Sequence, residues 1–198
     1  MKSASRRIST RILSSPPVIA FDASAVAIAQ KVRGKQLVDR AMYGLSEAGN
    51  HSTLWHTINA IDALTGDRTR RRRAVRRSVI IATEQAVING PVKLIAKRDR
   101  PIALTVHPHD LRTPRSSSFP SGHASASACA ATLLTRDLGM APLWWTLSAA
   151  VSWSRIHVGV HHASDVVAGL AAGRLMAEAG ARLWPVSWAD RPPRAARH

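Results

Sequence analysis

A single cysteine, Cys129, among 198 residues rules out any disulfide within the chain, so its core must come from packing alone. Cys129 itself sits among Ala and Ser in an apolar stretch, where it reads as a small buried residue. Acidic residues are scarce as well: 12 Asp plus Glu stand against 28 Lys plus Arg, a formal net charge of +16. An excess of that size implies a negatively charged partner, which limits the choice to nucleic acid, an anionic membrane surface or a phosphate-bearing substrate. Long uncharged apolar runs are missing too. The longest near the third core helix, Leu138 to Ser154, has 17 residues, about 25 Å as a helix against about 30 Å of bilayer hydrocarbon.

What is present is helical patterning. The length suits one domain. Residues 1–35 carry Lys2, Arg6, Arg7 and Arg11 and an Ala-rich segment interrupted by Asp22, and read as a basic tail, partly disordered. Pro16, Pro17 and Asp22 break the apolar core that an export signal needs. A helical domain is expected over 36–188, with a break at Gly49-Asn50, followed by a basic C-terminal tail, 189–198. Seven arginines lie between Arg68 and Arg77. No aromatics interleave with them, so a nucleic-acid stripe is disfavoured, and a cytoplasmic loop beside an anionic leaflet explains them better. Four apolar core helices follow residue 78, at Val79–Ala96, Ala124–Thr135, Met140–Ser154 and Ala163–Leu183. If the arginines are cytoplasmic, Lys93, Arg100, His123, Arg155 and His161 all fall on the outer side. Most remaining positive charge then falls on the inner side, with Trp144, Trp145, Trp184 and Trp188 near the inner helix ends. The fold class expected is therefore an all-α helical bundle, integral to the membrane.

Three stretches carry chemistry. Ser154 to Asp165 holds a cation, an imidazole and a carboxylate in sequence: Arg155, His161 and Asp165, the last two four residues apart. A helix starting near His162 lets Asp165 accept from one nitrogen of His161 and leaves the other to attack. Pro120-Ser121-Gly122-His123 places a hydroxyl, a permissive backbone and a second imidazole at a helix start, where unpaired N–H groups favour an anion. Lys93 and Arg100-Pro101 add two cations. This inventory suits phosphoryl transfer.

At these residues the chain resembles the type 2 phosphatidic acid phosphatase superfamily. That signature is Lys-x6-Arg-Pro, Pro-Ser-Gly-His and Ser-Arg-x5-His-x3-Asp, and Lys93, Arg100, Pro101, Pro120, Ser121, Gly122, His123, Ser154, Arg155, His161 and Asp165 meet every fixed position. The resemblance implies a phosphohistidine mechanism without metal or cofactor. His161 is the nucleophile, Asp165 its orienting carboxylate and His123 the acid and then base. Lys93, Arg100, Arg155, the Ser121 hydroxyl and the Gly122 N–H hold the phosphoryl oxygens. The function expected is hydrolysis of a lipid phosphate or diphosphate, a phospholipid or polyprenyl phosphate, at the extracytoplasmic face of a multi-pass membrane protein, with the anionic membrane as partner and no nucleic acid.

Alternatives differ in class. A broad-specificity acid phosphatase on soluble esters belongs to the same superfamily but needs a cleavable signal. A basic protein coating anionic lipid or nucleic acid needs only clustered charge, not two histidines and an aspartate at these spacings. Other residues read as structural. His157 and His162 lack the spacing to both Arg155 and Asp165. His107 and His109 are loop histidines around Pro108. Lys97, Arg98 and Arg112 are solvated or membrane-edge cations. Gly159, Gly169 and Gly173 serve turns or close helix packing.

Overall fold

The computed structural model describes residues 12–101 and 116–185, and among these every regular element is helical. In chain order, α1 is Pro16–Gln30, α2 Gln36–Ala48, α3 Thr53–Thr65, α4 Arg68–Val87, α5 Lys93–Ile95, α6 Gly122–Leu138, α7 Ala141–His157 and α8 Ala163–Leu183. Helix α6 is the centre. Its Ala- and Ser-rich sequence buries almost every side chain, and α8, α7 and α4 pack around it. The apolar core joins Trp55 of α3, Ile81 of α4, Leu133 and Leu134 of α6 and Val151 of α7.

Small residues set how closely α6 and α8 approach. A Cβ on Gly169 would stand 2.5 Å from the Ser121 carbonyl oxygen, and one on Gly173 would stand 1.9 Å from that of Ser125. These are the packing roles expected of the pair. Gly159, with φ +74°, turns the chain between α7 and α8, in the left-handed region that glycine enters freely.

Several expectations change. The segment Pro16–Gln30 is a helix, not part of a tail: two prolines open it at positions where a missing N–H costs nothing, and it buries Asp22, Ala25 and Ala29 against α7 and α8. The arginine run is not a loop either. Asp67 caps α4 by accepting from the Arg70 N–H at 2.8 Å, so the helix begins eleven residues before Val79. Arg73, Arg76 and Arg77 are buried. Arg77 donates to Asn59 at 2.7 Å, to Asp137 at 3.0 Å and to Asp62 at 2.5 Å, while Arg76 donates to Asp137 at 2.8 Å. Carboxylates on α3 and α6 draw Arg76 and Arg77 inward, because a buried charge persists only when paired. Arg73, Arg76 and Arg77 are closed off from an outside anion, while Arg68, Arg70, Arg71 and Arg72 stay exposed.

Helix α4 also stops earlier than predicted. Pro91 lacks the N–H that would continue the ladder, and Ile88–Val92 forms one wide turn before Lys93–Ile95. Trp144, expected at an interface, is buried and donates its indole N–H to the Gly139 carbonyl at 2.9 Å. Among the described residues no helix is long and apolar enough to cross a membrane. His107, His109, Arg112, Trp188 and both chain ends lie outside the described residues.

The α6–α8 contact makes a direct prediction. Gly173→Ala gains about 1 kcal/mol of helix propensity but drives a methyl into a backbone oxygen that cannot step aside. The expected net loss is about 2 kcal/mol, lowering Tm by about 4–8 °C in a thermal melt. A raised Tm would show that the helices do not meet this closely.

Candidate active site

The three signature segments converge where α6 and α8 begin and α7 ends. Lys93 opens α5 just after the wide turn, and Arg100 follows in the irregular chain beyond it. Ser121 caps α6 and accepts from the Ala124 N–H at 3.4 Å, which puts Gly122 and His123 in the first turn. Arg155 lies in the last turn of α7, His161 in the connection, and Asp165 in the first turn of α8. The Ser121 N–H donates to the Asp165 carbonyl at 3.0 Å, joining the two helix starts.

A cavity of about 280 Å³ opens among these elements. Lys93, Arg100, Gly122, His123, Arg155 and His161 line it, as do Asn50, His51, Gln85, Asn89 and Ser116. Six of the eight predicted site residues thus face one space. The other two stand behind it: Asp165 is fully buried beyond His161, and the buried Ser121 hydroxyl serves as the helix cap.

His161 presents its two nitrogens differently. Nδ1 is 3.6 Å from Asp165 Oδ2, while Nε2 is 3.4 Å from Arg100 Nη1 on the cavity side. Asp165 is itself held twice, by the His162 N–H at 2.9 Å on Oδ2 and by Arg98 at 2.6 Å on Oδ1. Burial pushes the His161 imidazolium down to about 4; Asp165 opposes this, and Arg155 and Arg100 reinforce it. The ring is therefore neutral at neutral pH, with a lone pair to use. Burial, with Arg100 and Arg155 nearby, likewise lowers Lys93 to about 8.

His123 is fixed by residues outside the signature. Its Nε2 is 3.2 Å from the Ser46 carbonyl and 3.1 Å from Asn50 Oδ1. Two acceptors at one nitrogen assign it the proton. The Ser46 hydroxyl, in turn, meets Arg155 Nη1. Helix α2 therefore holds an imidazole and a guanidinium at once. A second tie comes from His157, whose Nε2 contacts Asp39 Oδ1 at 2.7 Å in a buried pair, so it locks α7 to α2 and does not face the cavity.

Arg98 departs most from the sequence reading. It is not a solvated cation: besides Asp165 it donates to Ser164 Oγ at 2.7 Å and to Asp22 Oδ2 at 2.8 Å. Asp22 also accepts from the Ser164 N–H at 2.8 Å. One signal pointed here, because Asp22 is the only charge in the apolar segment 18–29 and a buried carboxylate needs a cation. Ser46 and Asn50 gave no such signal, lying more than 70 residues before His123. Among the described residues no cluster of His, Cys, Asp or Glu has the makings of a metal site.

An all-helical scaffold that gathers three cations and two imidazoles round one cavity, one imidazole backed by a carboxylate, is built for breaking phosphate esters. The sequence model of the PAP2 superfamily matches residues 74–188, and the chain belongs to that superfamily of phosphatases. It is 34% identical over 152 residues to the decaprenylphosphoryl-5-phosphoribose phosphatase of Mycolicibacterium smegmatis, covering 75% of this chain and 80% of the relative. The protein of that name from Mycobacterium tuberculosis H37Rv is 36% identical over 135 residues, 66% of this chain and 71% of the relative. The fold resembles the transmembrane PAP2 type phosphatidylglycerolphosphate phosphatase of Bacillus subtilis, with TM-score 0.66 and 22% identity over 92% of this chain and 93% of that one. It also resembles LpxE of Aquifex aeolicus, with TM-score 0.64 and 19% identity over 81% of this chain and 94% of that one.

The lowered Lys93 sets an expected pH profile. Its positive charge is present below about pH 8 and lost above it, so kcat/KM, which reports the free enzyme, falls on the alkaline side from about pH 8. In Lys93→Arg that limb moves up by a pH unit or more, from a lower plateau because the fork does not replace the point charge. An unmoved limb would assign it to another group.

Proposed function

We propose that the chain hydrolyses a phosphate monoester borne by a polyprenyl-phosphate-type lipid, through a phosphohistidine intermediate. The observation that carries this is the orientation of His161, with Nδ1 toward Asp165 and Nε2 toward the cationic cavity. In the first step the Nε2 lone pair attacks phosphorus in line and the bond to the leaving oxygen breaks. His123, whose Nε2 proton stays with Ser46 and Asn50, takes a second proton from the bound ester's phosphate monoanion on its other ring nitrogen and passes it to that oxygen, while Asp165, held by Arg98 and the His162 N–H, stabilises the imidazolium formed on His161. In the second step His123 takes a proton from water, whose oxygen attacks phosphorus. The P–N bond breaks and inorganic phosphate leaves. Lys93, Arg100, Arg155 and the Gly122 N–H offset the charge on the nonbridging oxygens in both steps. Ser121 contributes by capping α6.

The lipid part of the reading draws on the relatives, whose names specify a decaprenyl-linked substrate. The surface agrees with a life beside lipid: Ile19, Phe21, Ile28, Leu94, Ile95 and Leu175 are each about half or more exposed, a cost in water that contact with acyl chains removes. In this reading the enzyme is a multi-pass membrane protein and the cavity opens at its extracytoplasmic face.

Phosphate release by purified protein tests this. The expected result is turnover of polyprenyl-linked phosphates at a kcat/KM at least tenfold above that for a soluble aryl phosphate, and loss of at least about a thousandfold in His161→Ala. Equal turnover of the aryl ester would favour a broad-specificity acid phosphatase, and full activity in His161→Ala would remove the nucleophile assigned here.

A further inference from the structure

We infer that Glu47 and Asn50 are positioning residues for the acid–base imidazole: they hold the proton of His123 on Nε2 and so assign proton transfer to Nδ1. This rests on the phosphatase reading above, and it gives His123 a counterpart to the hold that Asp165 has on His161.

A neutral imidazole carries its proton on one nitrogen, and the hydrogen bond made there decides which. At His123 that nitrogen is Nε2, 3.2 Å from the Ser46 carbonyl oxygen and 3.1 Å from Asn50 Oδ1. The carbonyl can only accept. A carboxamide can offer either end, so the end that meets the ring depends on what holds the other. Asn50 Nδ2 donates to Glu47 Oε2 at 2.9 Å, and a carboxylate takes only a donor, which leaves Oδ1 for the ring. Glu47 thus acts on His123 through one carboxamide, from outside all three signature segments. The two acceptors matter most when His123 is charged. Lys93, Arg100 and Arg155 border the same cavity, so the imidazolium that carries a proton to the leaving oxygen forms among like charges, and two oxygens accepting from its Nε2 proton offset that cost.

The chain around Asn50 is tied down on both sides. The Gly49 N–H donates to the Leu45 carbonyl at 3.0 Å, and the Asn50 carbonyl accepts from Thr53 Oγ1 at 2.7 Å. His51 and Ser52 have φ of 52° and 59°, in the left-handed region that side-chain-bearing residues avoid. Strain of this kind is retained where position matters to function. A Cβ on Gly49 would lie 2.5 Å from His123 Cδ2, so α2 ends against the ring itself. Gly49 has φ −76°, which alanine adopts without strain, and the main cost of a methyl there falls on the imidazole.

The test uses two polyprenyl-tailed phosphate monoesters that differ in the leaving oxygen, an alkoxide in one and a dinitrophenoxide in the other. The alkoxide must be protonated as its bond to phosphorus breaks, whereas the dinitrophenoxide leaves unaided. Asn50→Leu is expected to lower kcat/KM about tenfold or more for the alkyl ester and less than about threefold for the aryl ester. Gly49→Ala is expected to give the same pattern by displacing the ring, and Glu47→Gln, whose amide oxygen still accepts from Asn50, to keep the wild-type ratio. A merely structural role would slow both esters alike. Equal losses on the two esters in Asn50→Leu and Gly49→Ala, or no loss on either, would overturn the inference and leave the phosphatase reading intact. Inertness of the wild type toward both esters would remove that reading and this inference with it.

Discussion

The carbonyl oxygen of Ser125 occupies the space that a side chain at residue 173 would need. Because Gly173 and Gly169 leave that space open, α6 and α8 approach closely enough for the Ser121 N–H to bond the Asp165 carbonyl. Everything at the site follows from this contact. Two helix starts, each a natural seat for an anion, are brought side by side, and His123 and His161 come with them. Helix α7 supplies Arg155 from its C-terminal turn, where the helix dipole favours a cation.

The same helices carry a second charge cluster, and the contrast between the two shows what each is for. Midway along α4, Arg76 and Arg77 are enclosed by Asp62, Asp137 and Asn59. Beyond the far end of α4, Lys93, Arg100 and Arg155 border an open cavity, with their carboxylate, Asp165, behind His161. The first cluster is closed by the protein's own anions. The second leaves room for one from outside.

Much of this was legible in the sequence because phosphoryl chemistry fixes local spacings. The interval from His161 to Asp165 requires a helix start between them, and His162 is indeed the N-cap of α8. Gly169 and Gly173, four residues apart, announced a close contact by the same periodicity. What stayed hidden acts through space. Arg98 reads as a surface cation until α1 folds back to place Asp22 against it, and the arginine run reads as a loop until Asp62 and Asp137 are found beside it. Ser46 and Asn50 bear on Arg155 and His123 from more than 70 residues away, where no spacing rule reaches.

The central claim is that His161 becomes covalently phosphorylated. A rapid acid-free quench of the enzyme during turnover of a polyprenyl-linked substrate labelled in its phosphate tests it directly. Transient label is expected on the protein, stable to alkali and lost in acid as a phosphoramidate is, in the peptide containing His161. Single-turnover release of phosphate with no protein-bound label at any time, or label on a serine or carboxylate, would contradict it.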